Sequence, residues 1–235
     1  MDVGETDLPT EDREAATKRA ERVAGLRHAG FPKPLGTLFD VMTGALAVQV
    51  TLHAFTLLCE AFARGAVLPG PGGERGLLGH LYLAAFFVFL VAIPLGCVTW
   101  MRWLDWSVKN RLIETDGRFG LTPARVVWAY FIPGLNLYRP LLDLKRLWRS
   151  EQRFTGGAPV LLTVWWLVTL AHLATMLGDV RPGITLLTIV SSALGVVSCA
   201  LALALLRAFR RVQAHGSGSA SGPAAEEAEP SEVHA

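Results

Sequence analysis

Long runs of apolar residues alternate with polar stretches along this chain. Four runs stand out: Leu38–Phe62, Leu77–Met101, Pro159–Gly178 and Gly183–Leu206. Each is near or above the ~20 residues an α-helix needs to cross a bilayer. The pattern predicts an all-α integral membrane bundle of four transmembrane helices, with a membrane domain over residues 35–208. Residues 1–34 are polar and of mixed charge, and predict a solvated cytoplasmic segment with a short helix from Glu11 to Arg27, capped by Thr10. They contain no apolar core of the kind a signal peptide carries, so the first run is expected to act as an uncleaved signal-anchor. Residues 209–235, rich in Gly, Ser, Ala, Glu and Pro from Ala214 onward, predict a disordered cytoplasmic tail.

Two helical segments are also expected between the second and third runs, over residues 122–153. Thr122-Pro123 suits a helix start, with Thr as cap and Pro in the first turn. The apolar stretch Ala124–Ile132 is too short to span, and Pro133-Gly134 breaks it. A second helix then reaches about Arg153. At ~100° per residue it gathers Leu137, Leu141, Leu144 and Trp148 on one face, with Leu147 beside them. Arg139, Asp143, Arg146 and Arg153 are expected opposite, flanked by Lys145 and Arg149. The pair reads as an amphipathic helical hairpin in the cytoplasmic loop between helices 2 and 3.

Composition agrees with a membrane protein. The chain is 51% hydrophobic and 18% charged, with a mean hydropathy of +0.38, whereas soluble domains run near ~25% charged. A net charge of +2 gives no bulk attraction for nucleic acid. Cys59, Cys97 and Cys199 all lie in apolar runs without metal-type spacing and read as packing residues.

The distribution of Lys and Arg sets the expected orientation. The flank before the first run holds six, the central loop ten and the exit from the fourth run three, against two and one in the other loops. By the positive-inside rule both termini and the central loop are cytoplasmic, in a multi-pass protein of the cell (inner) membrane. Trp100, Trp103 and Trp106 are expected to form an aromatic belt at that face. Pro94 is expected to kink the second span. Ser191, Gly195 and Cys199, four apart, predict close helix approach in the fourth.

Candidate chemistry falls in two places. The basic residues Arg139, Lys145, Arg146, Arg149 and Arg153 suit anionic lipid headgroups or a membrane or cytoplasmic protein partner. Pro133, Gly134, Asn136 and Pro140 suit a rigid corner that seats this helix. Within the spans, His53, Glu60, His80 and His172 are costly to bury and are therefore functional candidates. Their spacing matches no metal motif, so they are weak candidate ligands and no cofactor is predicted. Neither a phosphate loop nor a hydrolase or zincin motif is present. The expected function is a non-enzymatic lipid- or partner-binding membrane module. The alternative is a small transporter or haem/metal-binding redox protein built on the intramembrane His and Glu.

The stretch Thr122–Ser150, TPARVVWAYFIPGLNLYRPLLDLKRLWRS, resembles the signature of the domain-of-unknown-function 4328 family of bacterial membrane proteins. That family carries a Phe-(Val/Ile)-Pro-x-x-Asn-Leu-x-(Arg/Lys)-Pro core, matched here by Phe131, Pro133, Asn136, Leu137, Arg139 and Pro140. Trp148 and Ser150 match its following helix. Trp100, Asn110 and the pair Trp165-Trp166 match flanking positions, whereas Arg102–Lys109 lacks the family's Tyr-Arg-Ala pattern. The resemblance spans roughly residues 36–207 and implies a four-helix membrane domain. It implies no activity.

Overall fold

A computed structural model describes residues 10–62, 76–151, 158–178 and 186–218. No strand occurs among them. The helices are α1 (Thr10–His28), α2 (Gly36–Phe62), α3 (Leu77–Glu114), α4 (Pro123–Trp128), α5 (Arg139–Glu151), α6 (Ala158–Gly178) and α7 (Leu186–Gly218), with a 3₁₀ turn at Leu135–Leu137 between α4 and α5. Four of them, α2, α3, α6 and α7, are long and apolar enough to cross a membrane.

Within the bundle α7 packs against both α2 and α6, and α3 packs against α2. Of the most apolar stretch of α7, 44% is buried, against 11–17% in the other three, so α7 is the central helix. The outward faces carry large exposed apolar side chains such as Phe86, Phe87, Val91, Leu167 and Leu177. A monomer in water does not sustain so much apolar exposure; hydrocarbon accommodates it without cost.

Two helices outrun the spans expected from hydropathy. At ~1.5 Å per residue, α3 is roughly 57 Å long, well beyond a ~30 Å hydrocarbon core. It continues through Pro94 and past Met101 to Glu114. Likewise α7 passes Leu206 and ends at Gly218, so residues 209–218 are helical and not part of a disordered tail. The stretch 219–235 lies outside the described residues. Hydropathy falls where charges begin, but backbone hydrogen bonding does not, so both helices continue into a second environment.

These extensions build a base beneath the spans, where the best-packed core lies. Trp103, Leu104, Val108, Leu112, Leu121, Val126, Leu144, Leu147 and Phe209 are all at most 2% exposed. Phe209 packs edge-on against both Trp103 (5.0 Å) and Trp148 (4.7 Å), joining α7 to α3 and α5. Trp103 is therefore a core residue and not part of an aromatic belt. The segment α1 is also more than a solvated arm. Its Val23 is buried with Phe31 and Ile113, and the backbone of Lys33 exchanges hydrogen bonds with the Asn110 side chain (2.9 and 2.8 Å). Gly117, at φ +76°, passes so close to α1 that a Cβ there would meet the Arg19 Cβ at 3.3 Å.

Candidate functional site

The central segment begins at Pro123 as expected, although the Thr122 hydroxyl makes no capping bond. The first helix stops at Trp128 rather than Ile132. Gly134 takes φ +83°, a left-handed angle that glycine adopts without a Cβ clash. At the corner it is the Asn136 backbone N–H that donates to the Ile132 carbonyl (3.1 Å). Two indoles tie this corner to the spans: Trp166 Nε1 donates to the Leu137 carbonyl (2.7 Å) and Trp100 Nε1 to the Tyr130 hydroxyl (3.1 Å). Burial raises the Tyr130 phenol above its ordinary range. The corner is thus tied to both α3 and α6.

Packing of α5 differs from the amphipathic pattern in one respect. Pro140, Leu144, Leu147 and Trp148 are buried against the bundle, but so is Asp143, at 1% exposed, where a solvent-facing carboxylate was expected. Because α3, α6 and α7 all meet α5, the covered stripe is wider than a helix lying on a surface would need. Arg139 follows Asp143 inward. Its Nε donates to Asp143 Oδ2 at 3.2 Å, and the two side chains are 15% and 0% exposed. Desolvation holds the Asp143 carboxyl above its ordinary value, with Arg139 opposing that shift. Arg139 is accordingly a structural ion-pair partner and leaves the set of free basic groups.

What α5 and its approach offer outward is a mixed surface. Arg146 and Arg149 are exposed and Lys145 is half-buried. Arg153 lies outside the described residues. On the same segment Trp128, Phe131, Leu137 and Tyr138 are each more than half exposed, joined by Ile132 and Leu142. Leu137, expected on the packed face, sits in the 3₁₀ turn and points away from it.

The intramembrane candidates separate into groups. His53 of α2 and His172 of α6 meet edge to face with ring centroids 5.2 Å apart. Ser191 of α7 lies 3.4 Å from His172 Nδ1. Glu60, only 2% exposed, accepts from the Tyr82 hydroxyl of α3 (2.9 Å) and from the Ser192 hydroxyl of α7 (2.7 Å). His80 stands apart, exposed, with Nδ1 on the Gly76 carbonyl (3.0 Å). Among the described residues no three His, Cys, Asp or Glu side chains assemble as a metal site.

Sequence reasoning did not single out Tyr82, Ser192 or Gln49. The last donates to the Ala92 carbonyl (3.0 Å) and accepts from the Cys199 thiol (3.7 Å). The small-residue spacing on the fourth run was the available signal. Its members are not merely small: Ser191 meets His172, Gly195 makes room for His53, and Cys199 meets Gln49. Compared with known proteins, the chain matches no family model, no curated protein and no solved structure.

Proposed function

We propose that this chain is a non-enzymatic multi-pass protein of the inner membrane, with both termini cytoplasmic, whose central segment binds anionic lipid headgroups at that face. The observation that carries the reading is the coincidence, on one short segment, of exposed Arg146 and Arg149 with exposed Trp128, Phe131, Leu137 and Leu142. Apolar and aromatic side chains favour the boundary between acyl chains and headgroups, where neighbouring cations meet phosphates. The Lys and Arg bias of the flanks supplies the orientation. Lys145 and, next along the chain, Arg153 extend the basic set; Arg139 contributes by seating the helix. The Phe131–Pro140 core, which carries the family resemblance, acts as the corner that presents this surface.

Each basic residue near an anionic surface is worth ~1 kcal/mol, so removing two weakens retention of anionic lipid roughly 30-fold. The test uses the full chain in nanodiscs of mixed zwitterionic and anionic lipid, comparing the wild type with R146Q/R149Q. The reading expects selective loss of phosphatidylglycerol from the variant's first lipid shell. Equal enrichment in both proteins overturns it.

A further inference from the structure

Where the first two apolar runs give way to charged sequence, three cations gather around two aromatic rings. Lys33 lies three residues before α2, and Arg102 is the first residue beyond the run Leu77–Met101 of α3. Arg102 and Trp106 are four apart, as are Asp105 and Lys109, so the four residues share one face of α3. The Trp106 ring stands edge-on to Phe31, with centroids 6.3 Å apart and planes at 88°. Lys33 Nζ lies against both rings, 4.7 Å from the Phe31 centroid and 5.0 Å from that of Trp106. Lys109 Nζ approaches the Phe31 centroid at 5.3 Å, and the Arg102 guanidinium carbon lies 6.0 Å from the Trp106 centroid. The backbone of Lys33 is fixed to the same helix by its two hydrogen bonds with the Asn110 side chain, so the lysine is already in place.

The cluster is short of negative charge. Asp105 pairs with Lys109, Oδ2 to Nζ at 2.6 Å, whereas Lys33 and Arg102 make no ion pair among the described residues. An aromatic face attracts a cation without neutralising it, so like charges held on adjoining rings create a field that favours an anion. We propose that Lys33, Arg102 and Lys109 form a binding site for a phosphate group at the membrane boundary. Their ammonium and guanidinium groups donate charge-assisted hydrogen bonds to phosphate oxygens. The half-buried Trp106 ring supplies an apolar plate for the carrier, at the depth where indoles are favoured. A phospholipid headgroup and a free phosphate present the same chemistry to these cations, and the position beside the ends of two apolar runs favours the lipid. The site shares no residue with the surface at α5, so neither reading rests on the other.

The experiment follows the indole N–H signal of Trp106 by nitrogen NMR of the full chain in a non-ionic detergent, assigned by its loss in W106F. Phosphatidylglycerol and inorganic phosphate are titrated separately. The proposal expects a saturable displacement of the signal. Losing two interfacial cations in K33Q/R102Q is expected to move the midpoint to roughly 30-fold higher ligand. R19Q/R118Q removes as much charge from α1 and from the turn after α3, and is expected to leave the midpoint unchanged. Saturation by the lipid alone assigns the phosphate to a headgroup, and saturation by inorganic phosphate shows that the group is held whatever its carrier. No saturable displacement by either probe overturns the proposal, as does a midpoint shared by the wild type and K33Q/R102Q or an equal shift in R19Q/R118Q. Should the double variant fail to fold, R102Q at its exposed position carries the same comparison, with a roughly 5-fold shift expected.

Discussion

Gly195 and His53 show how a single residue decides where a polar ring can lie in this bundle. A glycine inside a helix ordinarily costs up to ~1 kcal/mol relative to alanine, so replacing it without steric conflict is neutral or stabilising. At Gly195 the sign reverses, because the new Cβ would sit within 2.7 Å of three His53 ring atoms, and His53 is itself pinned by Phe89 and His172. Overpacking of this kind costs ~1–3 kcal/mol. Gly195→Ala is therefore expected to lower the thermal midpoint of the detergent-solubilised protein. Gly44→Ala, whose Cβ would meet nothing within 4 Å, is the matched control and is expected to leave it unchanged or raise it. Equal midpoints for the two variants would remove Gly195 from this role. Glu60 gives a second lesson at this scale. Its position in an apolar run marks it as costly from sequence alone, but its partners come from α3 and α7, so nothing local to it identifies Tyr82 or Ser192.

Among the helices, α5 departs most from its sequence pattern. The apolar stripe of Leu144, Leu147 and Trp148 was legible from spacing and is buried as expected. The inward turn of Asp143 was not, because helical periodicity places a residue on a face without saying how much of that face is covered. Burial of the Asp143 carboxyl has a consequence for stability against pH. Its folded-state value is raised, so the folded protein holds the proton more tightly than the unfolded chain. The corresponding stability is fully present below the ordinary carboxylate value of ~3.9 and is lost as pH rises through the raised one. The thermal midpoint of the wild type is expected to carry a downward component as pH rises from about 4. Asp143→Asn cannot ionise and is expected to lack that component; parallel profiles for the two proteins would contradict the assignment. The extents of α3 and α7 make a related point. Their apolar cores were legible as spans, whereas the helical extensions to Glu114 and Gly218 were not, since a drop in hydropathy marks the membrane boundary and not the helix end. Phe209, fully buried between two tryptophans, lies beyond the fourth apolar run, in the stretch 209–235 expected to be the tail.

Taken whole, the molecule has two layers with different chemistry. Four apolar helices make the upper layer, with small and polar residues between them and large apolar residues outside. Below them, the ends of α3 and α7 with α1, α4 and α5 form a base whose interior is packed as in a water-soluble domain. Trp100, Trp165 and Trp166 stack in series where the layers meet, with centroid separations of 5.5 and 5.6 Å. On the proposed function, Trp128 and its apolar neighbours extend from this junction into the lipid, and the cations of α5 sit at the headgroups beside them. The most direct measurement of that arrangement is quenching of tryptophan fluorescence by lipids brominated near the headgroup end of the acyl chain. It is made on the wild type and on Trp128→Phe in otherwise identical nanodiscs. A quenchable component present in the wild type and missing from Trp128→Phe is the predicted result. Indistinguishable quenching in the two proteins would place Trp128 away from the bilayer and contradict the lipid-binding account.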